Sequence, residues 1–261
     1  MKRATGEERA LARATIYRLL ALAYSYPTSD TVDQLGETLE FAPVAADLLS
    51  PTVAKEVQQL AAELQGVDQP TLEASYQRVF TLSYSEDCPV HETAFSAKHL
   101  FQQVAHQADI AGFYRAFGVN AENDRSDHVA MELEFCYLLA LKEAHARGLG
   151  ESEHVAICRD GHRVFMRDHL ARWAPHIAQR IVVTGAGTWY QRPAWLLLAF
   201  IAAEERYLRL GKIDRYRDDP VLIADEPGDL TCPIIEGSIE EMIEWPAPGG
   251  EATDDFVATP G

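Results

Sequence analysis

The stretch Asn123–Arg147, NDRSDHVAMELEFCYLLALKEAHAR, constrains the fold more than any other. An acidic turn carrying Asp124, Asp127 and His128 runs directly into an apolar segment of helix length. With Asp124 or Ser126 as N-cap, Asp127 and His128 fall in the first turn, where carboxylates suit the free N–H groups and the positive end of the helix dipole. At about 100° per residue, His128 and Glu132 share a face with Phe135 and Leu139, and Glu134 lies on another. A helix that is apolar nearly all round is buried. Its carboxylates must therefore reach a groove or find buried partners.

The rest of the chain repeats the helical period. Thr5-x-x-Glu8 has capping-box spacing ahead of Ile16, Leu19, Leu20 and Ala23, and Pro27 marks the stop. Thr28 to Leu49 carries a weaker pattern, Val32, Leu35 and Leu39, that Pro43 is expected to break. Ser50-Pro51 opens an amphipathic helix through Val53, Val57, Leu60 and Leu64 to Gly66. Leu72, Tyr76, Val79 and Phe80 form another face, and a turn-rich loop with His91 and Glu92 follows. Helical spacing resumes from Phe95 to Phe117. Glu151 to His176 reads as helical with a weak point at Gly161 and a restart at Pro175, and Pro193 begins the last strong helix. The short β-branched run Ile181–Thr184 reads as a helix end, and nothing alternates with period two. The expectation is an all-α protein: a single globular helical domain over residues 1–211, then an acidic Pro/Gly-rich extension over 212–261, partly ordered to about Trp245 and disordered beyond.

Forty acidic against 23 basic residues give a net charge of −17, which disfavours nucleic acid and anionic membranes and favours basic partners. The longest apolar run, Ala194–Ala203, is about half a membrane span, and charged residues interrupt the first apolar segment, so no membrane span and a cytoplasmic location are expected. Cys88, Cys136, Cys158 and Cys232 are far apart, without a C-x-x-C pair. Motifs for a phosphate loop, a nucleophile elbow or a zinc protease are missing. A di-iron bundle uses two Glu-x-x-His helices, and only Glu151–His154 has that spacing. No cofactor, no metal and no catalytic residue is expected. Asp127 and His128, as helical neighbours, point about 100° apart, which favours a cap-region carboxylate and a structural or recognition histidine over an acid/base pair.

Two segments bear a family likeness. Arg125-Ser126-Asp127-His128-Val129-Ala130-Met131-Glu132-Leu133-Glu134-Phe135 resembles the acidic-x-Pro-Asp-His-x-x-x-Glu-Leu-x-Phe signature of the TorD/DmsD/NarJ family of chaperones for molybdenum enzymes. Phe165 to Pro175 resembles that family's Phe-x-x-x-His-Leu-x-x-Trp-x-Pro motif. Arg13–Pro27 and Cys88-Pro89-Val90-His91-Glu92-Thr93 match in the same order, and Ser126 departs where the family has proline. Ala108–Val119 and the loop around Pro89 look most like the branch serving type II enzymes of the dimethyl sulfoxide reductase family.

The resemblance implies a TorD-like, non-enzymatic chaperone. It would hold the precursor catalytic subunit of a molybdenum enzyme, with its twin-arginine signal peptide, as a monomer or homodimer until cofactor insertion and export. Carboxylates bind guanidinium through paired, charge-assisted hydrogen bonds. The expected client contacts are therefore Asp124, Asp127, His128 and Glu132, then His91 and Glu92, with Phe135, Asp168, His169 and Trp173 shaping the groove. Charge reversal at Asp127 is expected to remove client binding with little loss of fold. The competing readings are a helical metalloenzyme with His128, Glu132, His91 and Glu92 as ligands, and an adaptor that binds through its acidic tail.

Overall fold

A computed structural model describes residues 4–80, 87–119 and 125–221. Asp124 and the extension beyond Val221 lie outside the described residues, so the tail expectations fall there too. The protein is all-α, with ten helices and no strand among the described residues. The centre is made by α1 (Gly6–Tyr24) and α7 (Val129–Leu149), which pack along each other. The next helix, α2 (Ser29–Asp47), lies on α1, and α3 (Pro51–Leu64) bridges α2 to α10 (Gln191–Leu208). On the other side α8 (Ser152–Asp168) packs on α7, and α9 (Leu170–Thr184) packs on α10. Shorter pieces complete the fold: α4 (Gln69–Phe80), α5 (Thr93–Ser96) and α6 (Leu100–Ala116).

Local sequence sets several ends as expected. Thr5 and Glu8 close a reciprocal capping box on α1. Ser50 caps α3 ahead of Pro51, and Thr184 ends α9 at Gly185. Other ends differ. The N-cap of α7 is His128, whose Nδ1 accepts from Ala130 N at 3.1 Å, and Asp127 stands before the helix. Pro43 does not break α2, and Gly161 is inside α8, where a Cβ would come within 2.4 Å of the Phe117 ring. That glycine serves close packing.

The break in the Glu151–His176 region falls at His169 (φ −125°, ψ −98°), and Pro175 lies inside α9. A proline has no N–H for the carbonyl four residues back, which here is Ala171 O. Arg215 Nη1 donates to that oxygen at 2.7 Å, and Tyr216 N donates to Arg172 O at 3.1 Å. The segment after α10 is thereby drawn back across α9, where Arg180 holds Asp218 and Val221 N donates to Ala94 O at 2.7 Å. The residues just past the expected boundary at 211 are thus packed on the helical body.

Sixteen of the 21 residues of α7 are buried, Glu132, Glu134, Lys142 and Glu143 among them, so the ionic groups have internal partners. Arg13 of α1, with 0% exposure, donates through Nε and Nη2 to Glu204 and through Nη1 to Glu143 Oε2, at 2.7 to 3.0 Å. Its Nη2 also meets His162 Nδ1 at 3.1 Å. Tyr17 donates to Glu204 at 2.8 Å, and His162 Nε2 reaches the Tyr17 oxygen at 2.9 Å. Burial, and then the positive charges of Arg13 and Arg159, hold His162 well below the usual histidine range. A neutral ring protonated on Nε2 satisfies both contacts. This network joins α1, α7, α8 and α10. Arg13→Met, which leaves the buried Glu204 without its cation while Glu143 keeps Arg147 and Arg159, is expected to cost about 3–5 kcal/mol in urea unfolding.

Candidate functional site

Three distant stretches converge at the start of α7. The loop before α5 pairs with the turn before α7: Glu92 N donates to Asp127 O and Val129 N to Val90 O, both at 2.9 Å, which sets His91 against His128. Their rings meet edge to face at 5.2 Å. The turn is held from the other side by α6, where Tyr114 donates to Ser126 O at 2.7 Å and Ser126 Oγ to Gln107 O at 3.0 Å. Ser126, where the resembling signature has proline, is thus bonded to α6 through both its carbonyl and its hydroxyl.

Asp127 is fully buried, and its carboxylate already holds a guanidinium. Arg125 donates from Nε to Oδ1 at 3.1 Å and from Nη2 to Oδ2 at 3.0 Å, and the Thr93 hydroxyl and N–H also donate to Oδ2. The Gln107 amide, with its oxygen turned inward, accepts from Arg125 as well. Burial opposes the Asp127 charge, but His91, Arg125 and Thr93 more than offset it and keep the carboxyl well below its ordinary range. The two half-buried histidines shift the same way for the opposite reason. Burial exceeds the pull of Asp127 and lowers His128 to about 4 and His91 to about 3, which suits an Nδ1 that must accept from Ala130.

Behind Asp127 lies a buried acid pair. Glu132 Oε2 accepts from Trp173 Nε1 at 3.0 Å. Burial and then the charge of Glu92 raise Glu132 well above the usual carboxylate range, and its Oε1 is buried without a hydrogen-bond partner. Glu92 accepts from Tyr216 at 2.9 Å and from His169 Nδ1 at 3.1 Å, while His169 Nε2 faces Asp109 Oδ2 at 3.5 Å.

Of the residues expected to act, Asp127, His128, His91, Glu92, Glu132, His169 and Trp173 form this one cluster. Phe135 meets the Phe165 ring edge to face and the Tyr114 ring at a tilt in the core beside it, and Asp168 turns outward to Arg167. The charge-reversal expectation at Asp127 needs correction, because a lysine at a fully buried position between Arg125 and Thr93 disrupts the fold itself. Among the described residues no three His, Cys, Asp or Glu side chains group as metal ligands, and no helix is long and apolar enough to cross a membrane. Sequence reasoning missed Arg125, Thr93 and Tyr216. A cation two residues from Asp127 was the available signal for the first.

The model of the nitrate reductase delta subunit family matches residues 46–179, just over half of the chain, and takes in the whole cluster except Tyr216. The chain belongs to this family, whose members are chaperones that bind molybdoenzyme catalytic subunits during assembly. No match is found among curated proteins.

The acid pair generates a pH-dependent expectation. A carboxyl raised in the folded state contributes stability below its unfolded value, near 4.5, that is lost as pH rises above it. Glu132→Gln keeps an acceptor for Trp173 and does not titrate. It is expected to unfold at a higher temperature than the parent at neutral pH, with the gap closing toward pH 4.5 in thermal melts.

Proposed function

We propose that the chain is a system-specific cytoplasmic chaperone for the precursor catalytic subunit of an exported molybdenum enzyme, and that the subunit's twin-arginine leader seats on α6 beside Asp127. Family membership supplies the general role. The observation that carries the leader reading is an apolar stripe on α6 that none of the described residues covers. Phe101 is 88%, Val104 57% and Leu100 54% exposed, and Ala105 and Ala108 continue the exposed side. Leu100, Val104 and Gln107 follow the helical i, i+4, i+7 edge, and Gln107 lies against Ser126 and Arg125.

A leader made of two guanidinium forks followed by an apolar segment fits this pairing of carboxylate and stripe. The apolar segment covers α6, and a leader arginine takes Asp127 by displacing Arg125, whose side chain is 25% exposed. Asp124, outside the described residues, adds charge three positions before Asp127 in the sequence, His128 and His91 border the contact, and Glu92 and Glu132 offer acceptor oxygens behind it. Phe135, His169 and Trp173 fix the position of these groups, and Asp168 stands at the outer end of α8. The net charge of −17 speeds encounter with a basic segment more than it adds affinity. The stretch Ala108–Val119 and the Pro89 loop favour a client among type II enzymes of the dimethyl sulfoxide reductase family. The chaperone acts as a monomer or homodimer.

Phe101→Glu tests the stripe, since a side chain this exposed contributes little to stability. The variant is expected to bind a fluorescent leader peptide about tenfold or more weakly in anisotropy titrations. Val183→Glu, at an equally open site on α9 (77% exposed), is expected to leave binding unchanged. Equal loss in both, or in neither, removes α6 from the role. The chaperone reading itself fails if the chain, co-expressed with the precursor subunit, purifies alone.

A further inference from the structure

A cleft that shares no residue with the Asp127 cluster lies between the start of α1, α8 and the end of α10. It holds about 650 Å3 and is lined by Arg9, Arg159, Arg163, Arg206 and Arg209 around Tyr207, with Asp160 the one carboxylate of the lining. Five arginines in one cleft run against a chain whose net charge is −17. Arg159 and Arg163 have acidic neighbours, Glu143 at 3.4 Å and Asp160 at 3.8 Å. Arg206 and Arg209 are exposed and have no side-chain partner among the described residues.

The backbone gives a second sign. Arg209 (φ 56°, ψ 49°) is the one non-glycine residue with positive φ among the described residues. It occupies the left-handed position that ends α10, where glycine or asparagine costs less. An arginine held there at a local cost keeps a cation on the rim of the cleft. An adjoining lobe of about 250 Å3 shares Arg9, Arg206 and Tyr207 and adds Leu49 and Ala203. The Tyr207 ring itself is flanked by the guanidinium carbons of Arg9, Arg13 and Arg159 at 5.7, 4.4 and 5.1 Å from its centre.

We propose that this cleft binds a small organic phosphate, with its phosphates on Arg206, Arg209 and Arg163 and a flat apolar part in the lobe formed by Leu49, Ala203 and Tyr207. Guanidinium forks match phosphate oxygens two at a time, and the cleft has the volume of a small-molecule site. The placement leaves α6 and Asp127 free, so phosphate and leader binding are separable.

Calorimetry on the full chain tests the assignment with inorganic pyrophosphate, a nucleoside diphosphate, and sulfate at matched ionic strength. Saturable one-to-one binding of pyrophosphate is expected, tighter still for the nucleoside diphosphate, with no saturation by sulfate. The double variant Arg206→Gln, Arg209→Asn removes two charges while keeping a helix former and a residue tolerant of the left-handed conformation. It is expected to weaken pyrophosphate by about tenfold or more with an unchanged melting profile and unchanged leader binding. Overturning results are no saturation by millimolar pyrophosphate, an equal response to sulfate, or undiminished binding by the double variant. A nucleoside diphosphate no tighter than pyrophosphate removes the apolar lobe from the proposal.

Discussion

Arg13 is the cation on which the packing of this chain depends. A guanidinium with no exposure is tolerable only if every N–H finds an acceptor and its charge is matched nearby. Glu204, Glu143 and the His162 ring meet that demand from three other helices. Each of those helices must therefore present one polar group at one depth, which fixes its rotation and height against α1. Apolar contact alone tolerates sliding of neighbouring helices, whereas a directed ionic contact does not. The cost of burying the charge thus yields a specific arrangement of α1, α7, α8 and α10.

The second polar cluster at the start of α7 follows the same logic with a different balance. Asp127 is matched by Arg125 and Thr93, which hold its carboxyl well below the ordinary range. Glu132 has Trp173 as its donor and Glu92 as its neighbour, and burial pushes it well above that range. Two acids of similar chemistry are separated by their surroundings, and the one that retains its charge adjoins the apolar stripe of α6.

Local signals were legible where they act over a few residues. Thr5 with Glu8, and Ser50 with Pro51, announce helix starts by their own chemistry, and the buried character of α7 follows from its composition. Pro43 and Pro175 misled because tertiary packing holds a helix together across a missing hydrogen bond, and in α9 Arg215 replaces part of it from 40 residues further on. Arg13 reads in sequence as a charge interrupting an apolar segment. Its partner Glu204 is 191 residues away, and periodicity carries no information about such a pair. Phe101 and Val104 have ordinary core spacing, and spacing alone does not say whether another element covers that face. The site motifs named residues that the fold gathers into one cluster, but the partners that bury their polar groups, Arg125, Thr93 and Tyr216, come together only in the folded chain.

The segment after α10 ends its described course on α5, with Tyr216 bonded to Glu92 and Val221 bonded to Ala94. Any load passed down the chain to Val221 meets the bonds to Ala94 and to Arg180 of α9 before it reaches Tyr216 and Glu92. The contact with Glu92 is thus the last of three to be loaded, sheltered from the extension by two anchors on the helical body.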